Sequence, residues 1–266
     1  MMLRRRKAEV RSELPPVIAQ DLRLGLLMPQ RERYDALWLN RAETVSANAT
    51  NGDISAALLG LITRLKIICN YDPSANVSSK LDALNVIIEG AGKSARILVF
   101  SQFVETLRWI AERIHLPHEL LTGSMSLTER QTAIERFKTE SSPRGLLVSL
   151  RAGGVGLNLG EATHVVMFDR WWNPAVEIQA IYRAHRFDRD EPLHVVRFLV
   201  ADSIEERIAA ILERKERLFD EIIESAETTA HRFTKKELMQ ILELAIGDII
   251  LRPQEKEERQ DHGKNR

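Results

Sequence analysis

The spacing of apolar positions changes character near residue 80. Before that point, helical spacing predicts helices over 29–47 and 54–69, separated by the polar turn Asn48–Asp53. A charged helical stretch over 3–13 stops at Leu14-Pro15-Pro16, because a proline disfavours helix in the residue before it. Residues 17–27 alternate enough for a short strand, and 71–79 form a polar linker with Pro73 and a Ser78-Ser79 helix start. From 80 onward, helices alternate with short, continuously apolar strands. Strands are predicted at Arg96–Phe100, His118–Leu121, Gly145–Leu150, Thr163–Phe168 and His194–Val200, with helices at Lys80–Glu89, Val104–Ile114, Leu127–Lys138 and Ala175–His185 between them. That alternation predicts an α/β fold with a parallel sheet covered on both faces, whose strand carboxyl ends share one ligand-binding edge. A long charged helix over 203–225 and a last helix over 235–246, capped by Thr234, follow. The expected organisation is a lead-in over 1–79, a central lobe over 80–202, a helical tail over 203–250 and a polar, disordered end over 251–266.

Composition narrows the function classes. The 266 residues carry 38 Lys plus Arg against 38 Asp plus Glu, so a binder of nucleic acid would need a local patch or a partner that shares the contact. The single cysteine, Cys69, permits neither an internal disulfide nor a multi-thiolate metal site and points to an intracellular chain. No apolar run approaches the ~18 residues needed to span a bilayer. The cluster Arg4-Arg5-Arg6-Lys7 has no apolar stretch after it and does not read as a secretory signal.

The chemistry-bearing residues gather between 144 and 186. The turn Ala152-Gly153-Gly154-Val155-Gly156 follows a strand, where glycines let the backbone approach a phosphate or simply make a tight turn. Trp171-Trp172-Asn173-Pro174 precedes a helix on which Gln179, Arg183 and Arg186 are spaced four and three apart, along one face. Two guanidinium groups beside a glutamine suit the charge that develops on a transferring phosphoryl group; a salt-bridge stripe is the plainer alternative. Ser101-Gln102 and Thr122–Ser126 end strands, and Arg130 lies early in the next helix, where hydroxyls and N–H groups suit phosphodiester contacts. Ser126 with Glu129 also forms a capping box. Gly92-Lys93-Ser94 is a decoy: position 87 is Ile where a phosphate-binding loop needs Gly, and a helix precedes while a strand follows. The acidic pairs Asp190-Glu191 and Asp220-Glu221 do not sit at a strand tip. No metal site is expected, and the chain has no visible means of holding a nucleotide's phosphates by itself.

The residues together resemble the C-terminal RecA-like lobe of the Swi/Snf branch of superfamily-two helicases. Ile97–Phe103, Leu121–Ser124 with Arg130 and Phe137, Ser149–Leu159, Phe168–Ala175 and Gln179–Arg186 occur in the order and spacing of that lobe's motifs. Ile67–Asn70 and Ser78–Lys80 match its lead-in, and 203–246 its helical tail. The resemblance implies an ATP-driven double-stranded DNA translocase or remodeler. It implies that Arg183 and Arg186 face the ATP phosphates, that Gln179 positions phosphate or water, and that Gly154 and Gly156 shape the cleft. It places Ser101, Gln102, Thr122, Arg151, Arg130 and Trp172 toward DNA. Phe187-Asp188-Arg189 stand where the family continues with an apolar residue, Gly and Gln, and Gly160 where threonine is common. The implied cofactor is ATP with Mg²⁺, shared with a first RecA-like lobe supplied in cis or in trans. The expected compartment is the cytoplasm or nucleoid of a prokaryote, or a nucleus. ATP hydrolysis is expected only in combination with that first lobe. The competing class is a catalytically silent DNA- or protein-binding module that keeps the fold.

Overall fold

Six strands form one parallel sheet in the computed structural model, which describes residues 16–49, 53–139, 144–150, 158–185, 191–222 and 233–249. In chain order the elements are β1 (Val17–Leu24), α1 (Met28–Leu39), α2 (Arg41–Asn48), α3 (Ile54–Asn70), α4 (Ser79–Gly90), β2 (Arg96–Ser101), α5 (Val104–Ala111), β3 (His118–Leu121), α6 (Leu127–Thr139), β4 (Arg144–Ser149), β5 (His164–Met167), α7 (Pro174–Ala184), β6 (Leu193–Val200), α8 (Ile204–Ile222) and α9 (Lys235–Ile241). The sheet order is β1-β6-β5-β2-β4-β3. Register brings Ser101 opposite Ser149 and Phe100 opposite Met167, so the carboxyl ends of the three central strands finish level along one edge.

The period-two character of the strands sorts their side chains into two cores. Leu98, Phe100, Val148, Val165 and Met167 face one side with Phe137 of α6 and Ala180 and Ile181 of α7. Ile97, Val99, Val166 and Phe198 face the other with Leu81 and Leu84 of α4 and Leu107 and Ile110 of α5. Both faces are therefore sealed by helices, which is why the strands are apolar throughout rather than alternating. A third core lies beside the sheet. There α3, apolar almost all round, packs against Ile204, Ile208 and Leu212 of α8 and Leu238, Ile241 and Leu242 at α9. The lead-in and the helical tail thus share one apolar interior.

Two local details differ from the periodicity. The helix expected over 29–47 breaks at Asn40, whose side-chain amide donates back to the Ala36 carbonyl while Arg41 caps the Trp38 carbonyl. α9 ends at Ile241, because Glu243 adopts a left-handed conformation (φ 51) that closes the helix. β1 pairs with β6 over its whole length and extends the sheet by one edge strand. The proposed helix over 3–13 and the end over 251–266 lie outside the described residues.

One buried ionic contact ties the pieces together. Lys80 of α4 donates to Glu205 of α8 at 2.6 Å, and both side chains are fully buried. Lys80 also donates to Asn70 Oδ1 at 3.0 Å, and the other Glu205 oxygen accepts from the Val200 N–H. A buried pair of this kind contributes little net stability against an apolar replacement, but losing one partner strands a charge. Lys80→Ala is therefore expected to lower unfolding stability by about 3–5 kcal/mol, and the Lys80→Met/Glu205→Met double variant to recover most of that loss. Urea unfolding of the wild type and the two variants, with equal slopes, checks this.

Candidate functional site

The carboxyl edge of the sheet is organised by Asp169, the second residue after β5. An apolar strand that ends on a carboxylate delivers that group to the sheet edge, and here it is fully buried. Its oxygens accept from the Ser101 hydroxyl, from the Gln102 backbone N–H at 3.2 Å and side-chain amide at 2.8 Å, and from Asn70 Nδ2 at 3.3 Å. Asn70 passes the chain on to Lys80, so the edge is continuous with the ionic contact beneath it. Donors from α3 and from the end of β2 thus satisfy a charge that would otherwise be costly to bury.

Above this network lies an open groove of about 510 Å³. Its lining includes Gln102, Phe103, Thr122, Gly123, Ser124 and Trp172, with Thr63 and Ile67 of α3 on the far wall. The Trp172 indole N–H donates to Gln102 Oε1 at 3.1 Å, and its ring meets Phe233 edge-on at 5.2 Å. Lys66 of α3, 1% exposed, lies beneath. Its ammonium donates to the Arg170 carbonyl at 2.6 Å and sits 4.8 Å from the centre of the Trp172 ring. Burial pushes its pKa below the ordinary lysine value, against the pull of Asp169 and Glu205.

The turn from β5 into α7 is fixed from both ends. Asn173 caps α7 by accepting from the Ala175 N–H, with Pro174 in the first turn, where its missing N–H is harmless. Glu177, on the inner face of α7 and 3% exposed, accepts from the Trp171 N–H at 2.6 Å and from Arg170 Nε at 3.1 Å. On the outer face, Gln179 is exposed and Arg183, one turn later, is half-buried, which shifts its pKa below the ordinary arginine value. The Arg183 carbonyl accepts from the Leu159 N–H, joining the last turn of α7 to the chain that returns from β4.

The structure thus brings Gln102, Thr122 and Trp172 into one groove and puts Gln179 and Arg183 on one helix face. Ser101 lies below that groove, fully buried with its hydroxyl given to Asp169. Arg130 holds the loop before α6, donating to the Met125 and Gly123 carbonyls at 3.1 and 2.9 Å. Both side chains thus hold groove-lining segments in place, Ser101 through Asp169 and Arg130 through the Gly123 carbonyl. Arg151, Gly154, Gly156 and Arg186 lie outside the described residues, as do Phe187-Asp188-Arg189. Gly92-Lys93-Ser94 falls between α4 and β2, helix before and strand after, the reverse of a phosphate-binding loop. Among the described residues no three His, Cys, Asp or Glu side chains gather to hold a metal ion. No helix among them is long and apolar enough to cross a membrane.

Sequence reasoning gave no role to Lys66, Asp169, Arg170 or Glu177. The signal for Lys66 and Asp169 was a charge set into or directly after an apolar run. Arg170 and Glu177, seven apart across a turn, carry no such mark.

Comparison with known proteins fits this edge. Residues 79–188 match the family model of the helicase conserved C-terminal domain. The chain is 33% identical over 261 residues to YwqA of Bacillus subtilis (strain 168), across 92% of this chain and 28% of that protein. It is similar to the Sulfolobus solfataricus SWI2/SNF2 ATPase C-terminal domain, with a TM-score of 0.64 and 27% identity over 86% of this chain and 99% of that one. The chain belongs to the SWI2/SNF2 family, as its C-terminal helicase lobe. The Sulfolobus solfataricus SWI2/SNF2 ATPase core in complex with dsDNA is similar too, with a TM-score of 0.64 and 25% identity over 91% of this chain and 53% of that one. This SWI2/SNF2 lobe therefore spans about half of the solved ATPase core and 28% of YwqA.

Burial pushes the Glu177 carboxyl above its ordinary value of 4.5, outweighing the attraction of Arg170. The folded lobe then holds more protons at this group than the unfolded chain just above that value, so stability falls as pH rises through the window. Relative to Glu177→Gln, the wild-type urea midpoint is expected to decline as pH rises above the ordinary carboxyl value of 4.5. A constant difference between the two proteins across that range would contradict the assignment.

Proposed function

We propose that this lobe is the second half of an ATP-dependent double-stranded DNA translocase of the remodeler type. In this reading, Gln102, Thr122 and Trp172 contribute part of the DNA track, while Gln179 and Arg183, with Arg186, reach toward ATP held mainly by a first lobe. The observation that carries it is the pairing of an aromatic-floored groove, bearing the Gln102 amide and the Thr122 and Ser124 hydroxyls, with a helix that begins at the same sheet edge and presents Gln179 and Arg183 outward. The groove's hydroxyl and amide groups suit a phosphodiester backbone and carry little base information. Arg151, which follows β4, belongs to the same proposed track. The DNA bound in the solved Sulfolobus solfataricus core supports the partner class.

ATP and its Mg²⁺ would be shared with the first lobe, whose phosphate loop and metal site have no counterpart among the residues described here. When bound, ATP supplies the phosphoryl group whose transfer drives movement. This lobe's own contribution is positive charge from Arg183 and Arg186 toward the phosphates and a side-chain amide from Gln179 to orient phosphate or water. Arginines in that role accelerate phosphoryl transfer by about 10³–10⁵.

The test is ATP hydrolysis by the lobe alone and mixed with a first lobe of the family, each with and without duplex DNA. Turnover is expected only in the mixture with duplex, falling by about 10³ or more on Arg186→Ala. Arg183→Ala is expected to reduce it in the same direction. Robust turnover by the isolated lobe would refute the reading, and duplex binding with no turnover under any condition would turn it into a silent binding module. Separately, Thr122→Val, which keeps shape and removes one hydroxyl, is expected to weaken duplex binding about tenfold at fixed salt, measured by fluorescence anisotropy.

A further inference from the structure

We propose that Lys66 is a positioning residue for the whole sheet edge, fixing the Arg170–Trp172 turn and, through it, both the groove floor and the face of α7. An ammonium inside an apolar helix interface is costly to bury, and an apolar side chain of the same length would fill the space. What the ammonium adds is specific. It donates to the Arg170 carbonyl at 2.6 Å and lies under the faces of Trp172 and Phe103, at 4.8 and 6.0 Å from their ring centres. Gln102 shares the Arg170 carbonyl at 3.1 Å and holds the Trp172 indole, so the turn is gripped from α3 and from β2 at once. The guanidinium of the same Arg170 grips Glu177 on α7. Arg170 is therefore held by its carbonyl on the groove side and by its side chain on the helix side. Removing the Lys66 donor frees the turn on which both depend.

The charged groups around Lys66 are Asp169, Arg170 and Glu177 at the edge, Lys80 on α4 and Glu205 on α8. The inference rests on the functional reading above in one respect: misplacing Trp172 weakens DNA binding only if the groove takes DNA. The structural part is read independently, by ¹⁹F NMR of the full chain carrying 5-fluorotryptophan. The four tryptophans give four signals, and Trp172→Phe assigns the one that matters. In the wild type this signal is expected to shift with pH as Lys66 loses its proton, with a midpoint below the ordinary lysine value of 10.5. Tyr71, lining the same groove, and Cys69, on the same helix, are both pushed up by burial, Cys69 to about 12, opposite to the direction in which Lys66 moves.

Lys66→Met is expected to displace the Trp172 signal at neutral pH and abolish its pH response. Lys66→Arg, which keeps the charge, is expected to restore the neutral position without the titration. Duplex affinity should fall about threefold or more in Lys66→Met and return in Lys66→Arg. An unchanged Trp172 signal and pH response in folded Lys66→Met would overturn the proposal. If that variant does not fold, the wild-type titration decides, and a Trp172 signal that stays fixed up to the ordinary lysine value overturns it equally. If Trp172→Ala leaves duplex affinity unchanged while the Lys66 signature appears, the DNA reading falls and the positioning role stands.

Discussion

The buried contact between Lys80 and Glu205 is the constraint on which the rest of the lobe depends. It joins the helix that enters the sheet layer to the helix that leaves it, and it lies directly under the functional edge. A charge placed there has to be satisfied, and the satisfaction runs upward: Lys80 to Asn70, Asn70 to Asp169, Asp169 to Ser101 and Gln102. Each link demands the next, because a half-satisfied polar network is worse than none. The interior thus dictates where the ends of β2 and β5 must lie before any ligand is considered.

At the edge, the short exit from β5 does two things with adjacent residues. Asp169 turns inward to the network, while Trp172 turns outward to floor the groove. Arg170, between them, contributes its carbonyl to the α3 side and its guanidinium to α7. Four consecutive residues therefore connect the groove, the interior and the helix bearing Gln179 and Arg183. A parallel sheet makes this economical: its strands end together, so one turn reaches all three neighbours.

Much of this architecture is legible in the sequence. The five central strands were found within one or two residues, because uninterrupted apolar runs between helices have few other homes than a covered parallel sheet. The grouping of Gln102, Thr122 and Trp172 is implied by the family resemblance, and the groove lining brings them together. Ser101 at a strand end and Arg130 early in a helix suit phosphodiester contacts by position alone. Their partners, Asp169 and the Met125 and Gly123 carbonyls, became visible only when strands distant in sequence were set side by side. Asn40 breaks a helix that periodicity joins, since a side-chain hydrogen bond to the backbone leaves no trace in apolar spacing. The union of lead-in and tail was hidden for the same reason: each helix carries an apolar face, and nothing in the pattern names its mate.

That shared interior has a consequence for how the chain is made. α3 is apolar almost all round, yet its partners on α8 and α9 lie far downstream, and the Tyr34 hydroxyl accepts from the N–H of Ile204 across 170 residues. β1 waits equally long for β6. During synthesis, the central strands and their helices emerge and close on one another while α3 stands uncovered. The chain therefore matures from its middle outward, and a ribosome stalled before the tail would leave a greasy helix exposed beside a finished sheet. The lead-in and the tail act as the last clasp, and a cut in the tail is felt first at the lead-in.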